Sequence, residues 1–186
     1  MSIPSSYRQA GLSLIELVMF IVIVGVAVAG VLSVMNVTTQ HSADPMVRKQ
    51  ALAIAEALLE EIELQPFTYC FPTDPLALTA SSASSCTGGV AGSEDTLPAT
   101  ARVTSPRNAN NVSDYTNFSM PSIVDITGSP ITGLGAYAAS VSIAQVGTSF
   151  SLPATDVLQI DVRVVSGSTD ITLTGYRFRY APNAVP

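Results

Sequence analysis

An apolar stretch of 24 residues near the N-terminus constrains this chain more than any other feature. Between Leu12 and Met35 the only charged residue is Glu16, and Leu17–Gln40 contains no charged residue at all. An α-helix rises about 1.5 Å per residue, so about 20 apolar residues cross the hydrocarbon core of a bilayer. More than 140 residues of mostly polar composition follow. We therefore expect a membrane-anchored protein with one extramembrane domain.

The composition of the chain excludes several classes of function. Charged residues make up 12% of the 186 residues, the net charge is −6 and the pI is about 4.5. These values argue against a polybasic surface for nucleic acid or for anionic lipid. His41 is the only histidine, and Trp is absent. Because few catalytic sites can be assembled from these residues, we expect no enzymatic activity, no metal site and no cofactor.

Three interpretations of the N-terminus compete. A secretory signal would be cut after Ala27-Val28-Ala29, but its apolar region of about 7–15 residues should end near the cut. Here apolar residues continue as far as Val37. A plain signal anchor explains the length but not Glu16, because a carboxylate within the hydrocarbon costs about 2.5–3.5 kcal/mol. The third interpretation starts from the heptapeptide Gly11–Leu17, whose sequence is GLSLIEL.

This heptapeptide resembles the type IV prepilin signature, which runs Gly, hydrophobic, small hydroxyl, two aliphatics, Glu and Leu. Leu12 stands where Phe is commoner in that family. The resemblance implies a leader of residues 1–11, cut by prepilin peptidase between Gly11 and Leu12, and N-methylation of Leu12. The apolar helix, residues 12–40, would be retained as the transmembrane and later filament-core segment.

Glu16 has two interpretations. In the first turn of a helix, a negative charge is favoured by the positive end of the helix dipole. The resemblance implies a different role, in which the Glu16 carboxylate is matched to the free N-terminal amine of a neighbouring subunit during filament assembly.

Shorter matches along the rest of the chain resemble the minor pilins of the mannose-sensitive haemagglutinin (MSHA) system. They cover residues 55–62, 65–70, 111–115 and 173–177. The resemblance implies a non-enzymatic minor subunit of a type IV pilus with a role in pilus biogenesis, adhesion or attachment. Its partners would be other pilin subunits, prepilin peptidase and the inner-membrane assembly platform, with no nucleic acid. The alternative is a minor pseudopilin of a type II secretion system.

Cys70 and Cys86 are the only two cysteines, and neither a CxxC motif nor a neighbouring His indicates a zinc or redox site. A disulfide that closes a loop of about 15 residues contributes roughly 3 kcal/mol to stability. Because such a bond needs an oxidising compartment, we expect an extracytoplasmic C-terminal domain on a single-pass inner-membrane protein, and then an extracellular or periplasmic filament. Two free thiols are the alternative.

We expect an α+β fold, in which one long N-terminal helix packs on a C-terminal antiparallel sheet, as the pilin resemblance also implies. The helix is predicted over Leu12–Leu64, with Asp44-Pro45 restarting or kinking it and Pro66 ending it. Its second half, residues 44–64, opens an extracytoplasmic head of residues 41–186. A long loop over 65–100 and an antiparallel sheet over 101–186 complete the head. In residues 44–64 apolar residues recur at helical spacing and form an alanine-rich stripe: Val47, Ala51, Ile54, Ala55, Leu58, Leu59 and Ile62.

Strand candidates follow the loop. Asp156–Val165 alternates most clearly, and Ile171–Tyr180 returns after a turn at Ser166–Thr169, which predicts an antiparallel hairpin. Weaker candidates are Ala99–Thr104, Ser122–Ile126 and Ala136–Val146. We expect one face of the clearest strand to be buried against the alanine stripe of the helix: Leu158, Ile160, Val162 and Val164.

Two groups of acidic residues look like sites but have simpler explanations. Glu60, Glu61 and Glu63 are expected to form a solvated helix face. Asp74 and the pair Glu94-Asp95 lie on the predicted loop, where carboxylates can bind Ca²⁺, but the spacing of an EF-hand is missing.

Overall fold

The computed structural model describes residues 13–103 and 107–183, without the side chains of residues 36–44. Gly11 and Leu12, the predicted cleavage and methylation site, lie outside the described residues. The chain divides into two compact units, Met1–Pro45 and Met46–Pro186.

Helix α1 covers Leu14–Glu63, with Pro45 inside it. The expected helix, Leu12–Leu64, therefore forms within the described residues. In the first unit the described side chains of residues 13–35 are all exposed. In the second unit one stripe of the helix is buried: Ala51, Ala55, Leu58 and Ile62. This spacing of four, three and four residues places the four side chains on a single helix face.

The sheet has four antiparallel strands in the order β1-β2-β3-β4. Their bounds are Ser119–Met120, Ala138–Gln145, Val157–Ser166 and Thr169–Phe178. Short 3₁₀ turns occupy Ala83–Ser85, Gly89–Gly92, Val112–Tyr115, Gly147–Phe150 and Ala154–Asp156. The α+β layout of one long N-terminal helix and a C-terminal antiparallel sheet agrees with the expected fold class.

The predicted hairpin forms between β3 and β4. Ser166 pairs with Thr169 at one end of the ladder, and Val157 pairs with Phe178 at the other. Gly167 occupies the first central position of the connecting turn with φ +56°. A positive φ at that position is typical of the type II′ turns that favour glycine.

The core of the second unit lies between the buried helix stripe and the inner face of the sheet. The predicted inward residues of β3 are all buried and belong to one cluster with the alanine stripe: Leu158, Ile160, Val162 and Val164. On β4, Gly175 lies so close to the helix that an added Cβ would come within 2.9 Å of the Leu59 Cδ1 atom. Small residues on both surfaces therefore allow close packing of the helix on the sheet.

Two of the weaker strand predictions are wrong. The described part of Ala99–Thr104, residues 99–103, is not a strand. There the Arg102 N–H donates to the carbonyl of Asp114, at 2.9 Å, and Asp114 lies in a 3₁₀ turn rather than in a sheet.

Ser122–Ile126 forms only an isolated bridge at Val124, and the first strand lies earlier, at Ser119–Met120. The reason is local. The Asp125 carboxylate accepts hydrogen bonds from the N–H groups of Thr127 and Ser129, at 2.8 and 2.9 Å. Such a turn offers the backbone an alternative to strand pairing.

Candidate functional site

The apolar half of α1 is the first candidate site. Leu14–Met35 is 22 residues long and none of it is buried within the described structure. At about 1.5 Å per residue it measures roughly 33 Å, close to the thickness of a bilayer core. Phe20 is 64% exposed, and its aliphatic neighbours are similarly exposed. By length and composition this helix could span a membrane, and its surface needs an apolar environment that the described part of the chain does not supply.

Glu16 lies in the first turn of this helix. The N–H groups of Glu16 and Leu17 both donate to the carbonyl of Ser13, at 3.0 and 3.1 Å, so the helix begins directly after Ser13. No ion pair among residues 13–103 and 107–183 involves the Glu16 carboxylate. Within these residues its favourable local interaction is therefore with the dipole at the helix N-terminus.

The two glycines of the apolar half are not required by packing within the described chain. A Cβ added at Gly25 or at Gly30 would meet no described atom within 4 Å. In membranes, small residues on a helix surface allow the backbone of a second helix to approach closely. The two positions are thus suited to contact with another helix.

The predicted disulfide joins Cys70 and Cys86 across the long loop, with Cα atoms 5.4 Å apart. Both cysteines are buried in a small cluster with Ala77 and Ala80. The Asp74 carboxylate accepts from the Leu76 N–H and the Thr87 N–H, each at 2.8 Å, and these bonds lower the pKa of Asp74. Asp74 lies near both sulfur atoms, but each sulfur is bonded to the other and is not a free thiolate ligand.

The acidic pair Glu94-Asp95 is held by two arginines. The Glu94 carboxylate is 1% exposed and accepts from Arg102 Nη2 at 2.9 Å and from the Ser113 hydroxyl. Its burial raises the pKa of Glu94. Asp95 pairs with Arg179 at 2.5 Å. Of the three carboxylates considered as calcium ligands, Glu94 and Asp95 are therefore engaged in ion pairs.

Arg179 connects the loop to the end of the sheet, and sequence reasoning missed it. Its side chain is 1% exposed. The guanidinium carbon Cζ lies 4.0 Å from the ring centroid of Phe67 and 4.7 Å from that of Tyr69. A buried arginine of this kind combines an ion pair with cation–π contacts. The aromatic pair before Cys70 was the available signal, but nothing local indicated which arginine would reach it.

The prediction that Glu61 belongs to a solvated face is wrong. Its Oε1 atom accepts from Arg107 Nε at 2.7 Å and from the Tyr115 hydroxyl at 2.6 Å. Burial and the Glu61 carboxylate together raise the pKa of Tyr115. Beside this cluster an apolar groove of about 330 Å³ separates the helix from residues 120–134, with Ile54, Leu58 and Ile123 in its walls.

No protein-family model, curated protein or solved structure matches this chain.

Proposed function

We propose that this chain is a minor structural subunit of a type IV pilus, similar to the minor pilins of the MSHA system, and that it acts without catalysis. The observation that carries the proposal is the heptapeptide Gly11–Leu17, whose last four residues begin an exposed apolar helix of 22 residues. A secretory signal peptide is discarded after export, whereas a pilin keeps its apolar helix. The partners of the chain are then other pilin subunits, prepilin peptidase and the assembly platform.

The proposed location is the inner membrane, with the head on the extracytoplasmic side, and later the filament. Support comes from the length of Leu14–Met35 and from the Cys70–Cys86 disulfide. Disulfides form and persist in oxidising compartments such as the periplasm and the cell exterior.

Glu16 is proposed to act in assembly. Its carboxylate lies in an apolar, exposed helix and has no ion pair among the described residues. Because a charge in the hydrocarbon costs about 2.5–3.5 kcal/mol, a carboxylate retained there has a functional explanation by default. A bond to the N-terminal amine of a neighbouring subunit would offset that cost.

The intact mass of the membrane-bound form tests the proposal. We expect a polypeptide that begins at Leu12 and carries one methyl group. Gly11→Val should block cleavage and leave the leader in place, whereas the matched variant Ala10→Val should be cut as wild type. A wild-type mass that retains residues 1–11, or that begins at Gly30, would contradict the proposal. Recovery in filaments sheared from the cell surface supports a pilus, whereas retention in the cell envelope favours a secretion pseudopilus.

A further inference from the structure

Glu94 lies where the long loop, residues 65–100, returns to the rest of the head. Its N–H donates to the Tyr69 carbonyl at 2.8 Å, and the preceding Ser93 forms an isolated antiparallel bridge with Cys70. The Glu94 side chain is 0% exposed. A carboxyl group is thus buried at the place where the loop docks.

Two buried carboxyl groups share one arginine at this place. Arg102 Nη2 lies 2.9 Å from Glu94 Oε2, and Arg102 Nε lies 2.9 Å from Asp114 Oδ1. The second contact has the distance of an ion pair but no aligned hydrogen bond. Among residues 13–103 and 107–183, no other cation pairs with either carboxyl group. With both groups ionised, one negative charge would be buried without compensation, which is costly.

The two carboxyl groups differ in the hydrogen bonds that they accept. Asp114 Oδ2 accepts from the N–H groups of Asn110 and Asn111, at 3.0 and 3.1 Å. Glu94 Oε1 is buried and has no hydrogen-bond partner within the described part of the chain. Hydrogen bonds to the ionised form stabilise a negative charge, whereas burial without donors destabilises it. Of the two groups, Glu94 is therefore the one that takes up a proton more readily.

We propose that Glu94 is a proton-binding site that couples docking of the long loop to pH. With the proton bound, the site holds one carboxylate, on Asp114, and one guanidinium, on Arg102, so its charges balance. Arg102 Nη2 still donates to Glu94 Oε2, because a neutral carboxyl group keeps acceptor lone pairs. As the pH rises the proton passes to solvent, and repulsion between Glu94 and Asp114 weakens docking of the loop on the 3₁₀ turn Val112–Tyr115. The proposal does not depend on the pilin assignment.

The groups that face Glu94 act on it in both directions. Burial is the largest influence and raises the pKa of Glu94, and the Asp114 carboxylate acts in the same direction. The hydrogen bond with the Ser113 hydroxyl and the charge of Arg102 oppose this rise without cancelling it. The next residue in the chain, Asp95, is paired with a different arginine.

A pKa of Glu94 that is higher in the folded head than in the unfolded chain determines the direction of the pH effect. The folded head then binds more protons than the unfolded chain, so its stability falls as the pH rises. The contribution of Glu94 is complete below the ordinary pKa of a glutamate and is lost as the pH passes the raised pKa. A carboxylate that stabilised the head through its ion pair would have the opposite effect, since its contribution would appear only above the ordinary pKa.

Glu94→Gln distinguishes these two directions, because glutamine keeps the shape of the side chain and is uncharged at every pH. Urea midpoints of the full chain in detergent are measured between about pH 5 and about pH 8. We expect the difference between Glu94→Gln and wild type to shift in favour of the variant as the pH rises. Glu56→Gln, at an exposed position of α1, is the matched control and should follow wild type throughout. A difference that does not change with pH, or that shifts in favour of wild type, would overturn the proposal.

Two spectroscopic measurements observe the proton and the loop separately. The infrared C=O stretch of a protonated carboxylic acid should persist in wild type above the ordinary glutamate pKa of about 4.3 and vanish at higher pH. It should be absent from Glu94→Gln and present in Glu56→Gln. At alkaline pH the Arg102 N–H, which donates to the Asp114 carbonyl at 2.9 Å, should exchange with solvent several-fold faster in wild type than in Glu94→Gln. A wild-type spectrum without this band above about pH 5 would refute the proton site even if Glu94→Gln does not fold, and equal exchange rates would refute its coupling to the loop.

Discussion

The two halves of α1 share one secondary structure but differ completely in burial. In Leu14–Met35 every side chain is exposed, although nearly all of them are apolar. In the half that belongs to the second unit, Ala55 is 0% exposed and Ile62 lies in the same cluster as the inner face of the sheet. One half has a stripe that its own chain buries, whereas the described residues cover none of the apolar surface of the other half.

The residue pattern explains this difference. A helix that is apolar all round suits a membrane or the core of an assembly, whereas a helix with one apolar stripe suits packing on a single surface. The second half has such a stripe of small residues, and charged residues such as Glu56 and Glu60 lie exposed on its other sides. Both halves therefore form helix from their own residues, and the arrangement of the apolar residues around each half determines what kind of surface it can pack against.

The largest effect is expected from a charge placed in the head core. Val162→Asp should lower the free energy of unfolding of the head by several kcal/mol, because Val162 is buried and a carboxylate there has no partner. Gln159→Asp, on the outer face of the same strand, is the matched control and should cost far less. Urea unfolding followed by circular dichroism measures both. Equal losses would mean that the face assignment is wrong.

Loss of the disulfide comes next and should also be confined to the head. Replacing Cys70 and Cys86 together by Ala is expected to cost roughly 3 kcal/mol, since the bond closes a loop with a sequence separation of 16 residues. The urea midpoint should fall, and wild type under reductant should fall to the same value. Membrane insertion of the apolar half should be unaffected. A midpoint that does not respond to reductant would contradict a stabilising role for the bond.

A matched pair of alanine substitutions compares the two halves directly. Ala55→Leu adds volume to the close helix–sheet contact and should cost about 1–3 kcal/mol of head stability. Ala29→Leu makes the same change on the exposed half and should leave head stability unaltered. The difference between their urea midpoints is the measurement. The comparison fails if Ala29→Leu destabilises the head as much as Ala55→Leu does.

Glu16→Ala should have the smallest effect on stability and a specific effect on assembly. The variant is expected to insert and to be cut normally, with unchanged unfolding of the head, because Glu16 has no ion pair among the described residues. If the carboxylate pairs with a neighbouring amine, the ratio of subunit in sheared filaments to subunit in membranes should fall, and Glu16→Asp should restore part of it. An unchanged ratio would leave Glu16 as a charge at a helix N-terminus.

Local periodicity was sufficient to predict α1 and the β3–β4 hairpin. Apolar spacing and Pro66 indicated the helix to within a few residues of Leu14–Glu63, and alternation indicated which side of β3 would be buried. The exposed apolar helix and the disulfide were predicted as well, because the apolar run is contiguous and Cys70 and Cys86 are the only cysteines in the sequence. Periodicity and apolar runs depend only on residues a few positions apart, and the cysteine pairing was unambiguous because the sequence has no third cysteine.

The position of the first edge strand and the partners in the buried ion pairs could not be predicted from the sequence, because both depend on contacts between distant segments. β1 lies at Ser119–Met120 because those residues meet β2, and no pattern in so short a segment could show it. Glu61 pairs with Arg107, which lies 46 residues further along the chain. Arg179 pairs with Asp95 because the long loop, which the Cys70–Cys86 disulfide closes, returns to the end of the sheet. The sequence by itself determined the long helix, the β3–β4 hairpin and the apolar segment, since those depend on short-range periodicity. Only the tertiary structure decided which charges are buried and where the first edge strand lies, because those depend on which distant segments come into contact.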